Sequence, residues 1–144
     1  MVTVAVALPL VAIVVVAAVV ARRRLVVVRV VGVSMEPVLR AGQRVLVRRA
    51  GLGAVGRGDI VVFSLASVRA PHPGDPSWLV KRAVALPGDD VPLESVPPLL
   101  AVGTHVPAGQ LVVRGDNAAR SFDSRQAGFI DGGALLGVVV RTLG

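Results

Sequence analysis

The stretch Ser77-Trp78-Leu79-Val80-Lys81-Arg82-Ala83-Val84-Ala85-Leu86, closed by Pro87-Gly88, decides the kind of fold this chain adopts. It is a short, mostly apolar run ended by a turn pair, and it predicts a strand. Similar runs lie on either side of it. Leu25–Val31 is β-branched, Arg44–Arg48 sits between Gly42 and Gly51, and Asp59–Phe63 follows Gly56 and Gly58. Gln110–Arg114 and Leu135–Leu143 supply two more. Short β-branched strands between Gly/Pro turns predict a mainly β, antiparallel sheet domain. Two proline-rich stretches, Ala66–Pro76 and residues 90–109, read as long loops.

Residues 2–21 differ from all of this: they are apolar without one charge and end at Arg22-Arg23-Arg24. That length and basic stop predict one N-terminal transmembrane helix. A cleavable signal peptide would place its basic residues before the apolar run and a small-residue cleavage site after it. Here the basic residues follow. Pro9 within the run is tolerated in a membrane helix. The expected division is therefore an anchor over 2–21 and one β-rich domain over 22–144.

Charge is uneven along the chain. Residues 22–57 hold nine Arg against the single Glu36, whereas residues 58–144 hold seven basic and eight acidic side chains. A basic collar after a membrane span predicts contact between Arg22, Arg23 and Arg24 and anionic lipid headgroups. Nucleic acid is not expected as a partner, because aromatics make up only 3% and no stacking platform accompanies the collar. With no cysteine there is no disulfide framework and no thiolate site. No metal-ligand spacing and no phosphate-binding glycine loop stands out, so no cofactor is expected. Nothing in the sequence specifies an oligomeric state.

The residue inventory singles out one position. Fifteen of the sixteen basic side chains are Arg, and the only Lys is Lys81. Arg stays charged in proteins, whereas a buried Lys loses its proton and then serves as a general base. Strand alternation puts Lys81 on one face with Leu79, Ala83 and Ala85, and that face carries no carboxylate. Desolvation there lowers the lysine pKa; an exposed or membrane-snorkelling Lys is the alternative. The best candidate nucleophile is Ser34, in Gly32-Val33-Ser34-Met35-Glu36-Pro37 just past a strand. Serine in such a turn is also an ordinary turn residue.

These segments, taken together and in order, resemble the signal peptidase I family, which includes mitochondrial inner-membrane peptidases. Gly32–Pro37 looks like its nucleophile box, Gly58–Phe63 (GDIVVF) like the strand motif that follows, Lys81–Asp89 (KRAVALPGD) like its lysine box, and Gly115–Arg125 (GDNAARSFDSR) like its last box. The resemblance implies a signal-peptidase-like catalytic domain behind the N-terminal helix, with Ser34 as nucleophile and Lys81 as base. It further implies that Ser121 orients the lysine amine, that Asp123 and Arg125 form an ion pair behind it, that Asp116 and Asn117 support the site, and that the backbone N–H of Ser34 helps bind the oxyanion. Substrates would be preproteins or leader peptides cut after small residues, with the substrate strand added beside the catalytic strands. Residues 90–109 fall where larger members insert a second β subdomain, so a minimal insertion is expected.

Three positions depart from the family pattern. Gly32 stands where some members carry an oxyanion-binding Ser, Val38 replaces the usual Thr, and Ala118 replaces a common Arg. Topology is contested between two signals. The resemblance implies a single-pass protein of the cell membrane with the catalytic domain extracytoplasmic. The positive-inside rule puts Arg22–Arg24, and the domain with them, in the cytoplasm. A cytoplasm-facing maturation protease of the same family, of the type linked to the nickel superoxide dismutase leader, fits the second arrangement. A non-catalytic, membrane-tethered β scaffold is the reading from another class; it does not require Ser34 and Lys81 to meet. His72 and His105 lie in the proline-rich loops and read as surface residues.

Overall fold

A computed structural model describes residues 2–97 and 103–144, with the side chains of residues 2–8 outside the description. Helix α1 spans Val2–Arg24 and contains Pro9. Strand β1, Leu25–Arg29, begins at the next residue with no linker between them. Among the described residues, no helix is long and apolar enough to cross a membrane, so membrane anchoring by residues 2–21 is taken up below as a proposal.

The rest of the described residues are built on a single antiparallel sheet of seven strands. After β1 come β2 (Arg44–Arg49), β3 (Ile60–Ser64), β4 (Trp78–Ala85), β5 (Gln110–Arg114), β6 (Ile130–Asp131) and β7 (Leu135–Thr142). Their order across the sheet is β1-β2-β7-β3-β4-β5-β6. The six expected strands are present with ends shifted by a residue or two. The two-residue β6 and the one-turn helix α2, Ser124–Ala127, were not expected.

Both faces of the sheet are packed, which explains why its central strands are apolar at successive positions rather than alternately. Val62 and Val80 join Val28, Val30, Val45, Val47 and Leu136 in one cluster. Val61, Phe63, Ala83, Leu111, Val113 and Val138 form a second. The β7 strand must pass very close to β2: a Cβ on Gly137 would collide with the Arg48 main chain, so only glycine fits there.

One expectation about faces fails. Ala83 pairs with Val113 but Ala85 pairs with Val112, because the register shifts between them. Ala85 therefore leaves the face of Lys81 and packs with Val112, Val91, Val96 and Val106 in a third cluster. The same cluster shows that the described ends of the 90–109 loop, 90–97 and 103–109, contribute to the core. Val91, Val96 and Val106 are buried, and Asp90 bridges to His105. The middle of that segment, 98–102, lies outside the described residues, so the minimal insertion remains an expectation.

Because the sheet order brings β1 and β4 to the same orientation without pairing them, the two face each other across a gap. β5 pairs only with the Arg82–Ala85 half of β4 and leaves Trp78–Lys81 free on that edge. Beside the free edges of β1 and β4 lies a groove of about 310 Å³, lined by Val26–Arg29, Val31 and Pro76–Trp78.

Candidate active site

The turn after β1 is nailed into the core by the residue next to Ser34. Met35 is 1% exposed and Leu39 2%, and both belong to the first cluster. Leu39 N donates to the Met35 carbonyl at 2.9 Å, and Glu36 N to that of Val33 at 3.2 Å, which closes the turn. Burying Met35 leaves Ser34 on the rim, half-buried. From 47 residues away, Lys81 Nζ donates to Ser34 Oγ at 2.6 Å.

Lys81 is 3% exposed. Burial lowers its pKa from 10.5 to about 8; Asp123 pulls it back up and Arg125 pushes it down. The strand face alone carries no carboxylate, as the sequence indicates, but the fold brings Asp123 in from the segment after β5. A buried amine of lowered basicity touching a hydroxyl is able to exchange a proton with it.

Asp123 is the most heavily bonded acid in the structure. Its side chain is fully buried against Arg125, which donates from Nε at 2.9 Å and from Nη2 at 3.0 Å. Gly115 N and Ser121 Oγ also donate to Asp123 Oδ2, at 2.9 and 2.7 Å. Burial pushes the Asp123 carboxyl up, but the bonds from Arg125, Gly115 and Ser121 outweigh it and hold the pKa at about 2. The hydroxyl of Ser121 thus goes to Asp123, whereas the resemblance assigns it to the lysine amine. Asp123 also caps α2 in a capping box with Gln126, whose Oε1 accepts from Asp123 N at 2.9 Å.

Asp116 and Asn117 serve two different neighbours. Arg82, one residue after the lysine, grips Asp116 with Nε at 2.8 Å and Nη2 at 2.6 Å, and donates from Nη1 to the Gly58 carbonyl at 2.8 Å. Asn117 holds the Ser34 turn: its N–H donates to the Ser34 carbonyl at 2.9 Å and its Nδ2 to the Val33 carbonyl at 3.1 Å. Gly115 lets these segments meet, since a Cβ there would lie 2.6 Å from the Ser34 carbonyl and clash with Ser121. The fold therefore assembles Ser34, Lys81, Asp116, Asn117, Ser121, Asp123 and Arg125 at one place. His72 and His105 are exposed and take no part.

Three contributors escape a reading of the sequence by residue type. Arg82 and Met35 carry no local signal, since one looks like a surface charge and the other like any apolar residue. Gly115 is hidden among sixteen glycines. Gln126 was legible, because Asp123-x-x-Gln126 has the spacing of a capping box.

The chain is similar to several known proteins. The mitochondrial inner membrane protease subunit 1 of Xenopus tropicalis is 36% identical over 100 residues, 67% of this chain and 56% of that protein. The mouse protein of the same name is 34% identical over 109 residues, 74% of this chain and 61% of its own length. Signal peptidase I of Leptolyngbya laminosa is 31% identical over 129 residues, 75% of this chain and 64% of that one. The chain thus spans less than two thirds of these relatives. The family described as signal peptidase, peptidase S26, matches residues 3–97 and 93–143, which takes in every motif that meets at the site. With nearly its whole length matched, the chain belongs to the signal peptidase family, peptidase S26.

Proposed function

We propose that this protein is a membrane-bound serine endopeptidase that removes signal or leader peptides from preproteins, with Ser34 as nucleophile and Lys81 as general base. The observation that carries the reading is the 2.6 Å contact between the Ser34 hydroxyl and a lysine that is 3% exposed. The neutral amine takes the Ser34 proton, and the alkoxide attacks the scissile carbonyl. The backbone N–H of Ser34 then binds the oxyanion. The lysinium returns its proton to the leaving amine, and a water activated by the neutral amine hydrolyses the acyl-enzyme. Arg125 neutralises Asp123, so the carboxylate steadies the amine without keeping it protonated; Ser121 acts through that carboxylate.

The groove between β1 and β4 supports an extended substrate. Both bordering edges have free main-chain groups, and the walls are mostly Val, Pro and Trp. Such shallow apolar walls suit small side chains near the cleaved bond. A scaffold does not need Ser34 and Lys81 to meet, so their contact favours catalysis.

Residues 2–21 are assigned as the anchor. A helix that runs into β1 without a linker holds the groove beside the bilayer, where Arg22–Arg24, all exposed, meet anionic headgroups. The catalytic domain is placed on the extracytoplasmic side, where secreted preproteins present their cleavage sites. Those three arginines favour the reverse topology, and with it a cytoplasm-facing maturation protease.

The test compares cleavage of a membrane-inserted preprotein by the natural chain, Ser34→Ala and Lys81→Arg. Both variants are expected to lose cleavage, since Arg keeps the charge but cannot act as a base. Normal cleavage by Lys81→Arg would refute the mechanism.

A further inference from the structure

Two successive carbonyls of the nucleophile turn are held by one residue from the far end of the chain. Asn117 Nδ2 donates to the Val33 carbonyl and Asn117 N to the Ser34 carbonyl. The first bond has a consequence beyond holding the turn in place. The Val33 C=O and the Ser34 N–H belong to one planar trans peptide and point in opposite directions. Fixing the carbonyl therefore fixes the direction of the N–H. The Val33 carbonyl accepts from Glu36 N at 3.2 Å as well, so it is held from two sides. Among the described residues the Ser34 N–H donates to no acceptor, which leaves it free for a ligand.

Building on the dyad reading above, we infer that Asn117 is the positioning residue for oxyanion binding, aiming and polarising the Ser34 N–H through the peptide plane it grips. Donation to a peptide carbonyl strengthens the N–H of the same unit as a donor, because hydrogen bonds in series polarise one another. Residue 32 is Gly and offers no hydroxyl beside Ser34, so the burden on main-chain donors is greater. Asn117 is itself well supported. Its carbonyl accepts from Arg120 N at 3.0 Å, Asp116 before it is locked by Arg82, and Gly115 N is bound by Asp123. The main-chain bond to Ser34 does not depend on the side chain at 117, so substitutions there remove the aiming contact and keep the docking contact.

The experiment uses the full chain in detergent micelles, with Asn117→Ala and Asn117→Asp. The second keeps the shape and replaces the donor by an acceptor. Preprotein cleavage is expected to lose kcat by about 10- to 100-fold with KM little changed, somewhat less than complete removal of an oxyanion donor. A peptide aldehyde, which forms a tetrahedral adduct on Ser34, should bind more weakly by a similar factor, while a non-cleavable peptide of the same sequence binds as before. The pH midpoint of kcat/KM should stay where it is, since the base is untouched. Equal weakening toward aldehyde and non-cleavable peptide, or an undiminished kcat, would overturn the inference. So would loss of the folded state in both variants, which would make Asn117 a structural latch. Failure of the dyad reading looks different: the natural chain would form no aldehyde adduct, or Ser34→Ala would still cleave.

Discussion

Titrating Lys81 tests the chemistry at its source, and this sequence makes the titration unusually clean. The chain has one Lys, no Tyr and no Cys. No other side chain therefore changes charge between about pH 8 and 11. Burial lowers the Lys81 pKa from 10.5 to about 8, with Asp123 opposing and Arg125 assisting. At ~1.4 kcal/mol per pH unit that gap corresponds to about 3 kcal/mol. Its sign follows from proton counting. The unfolded chain holds the lysine proton up to 10.5 and the folded chain releases it near 8, so between them the unfolded state binds more protons. Stability therefore rises with pH across that window, and the gain is lost as pH falls through 8. A chain carrying ¹³C at the lysine Cε should show one resonance, moving with a midpoint near pH 8. Denaturant unfolding in micelles should strengthen from pH 8 to 10.5 in the natural chain and stay flat in Lys81→Met, which has no proton to release. Cleavage should follow the same proton, with kcat/KM rising about tenfold per pH unit below 8 and levelling above it. A midpoint at pH 10 or higher, or the same stability slope in Lys81→Met, would refute the account of a buried, readily neutralised base.

Two further outcomes follow from the contacts around Ser34 and Lys81. Gly115→Ala places a Cβ 2.6 Å from the Ser34 carbonyl; overpacking of this kind costs about 1–3 kcal/mol, so a lower melting temperature and a sharp loss of kcat are expected together. Asp123 titrates at about 2 when folded, against 3.8 for the free group, so it contributes about 2 kcal/mol that is present above pH 3.8 and lost as pH falls through 2; acid unfolding monitored by circular dichroism should show this component vanish in Asp123→Asn.

Much of this protein is legible from residue order alone, and the reason is that the legible features are local. Strands show in runs such as Ile60–Ser64 and Gln110–Arg114 because β-branched residues between glycine turns favour extended backbone wherever they occur. Ser34 and Lys81 stand out by type and by motif, the lysine all the more because every other cation is Arg. The features on which the proposed chemistry rests are not local. The burial of Lys81, the arrival of Asp123 beside it, the grip of Asn117 on the Val33 carbonyl and the Arg82–Asp116 pair all join segments tens of residues apart. So does the groove beside β1 and β4, two strands that three others separate in the sheet order and that nonetheless line one cavity. The register shift at Ala83–Ala85 makes the same point in a single strand: alternation assigns faces only while pairing stays regular, and the partner strand decides where it does not. Local sequence sets which backbone and which functional groups are present; long-range packing sets their solvent exposure and neighbours, and those determine whether an amine is a cation or a base.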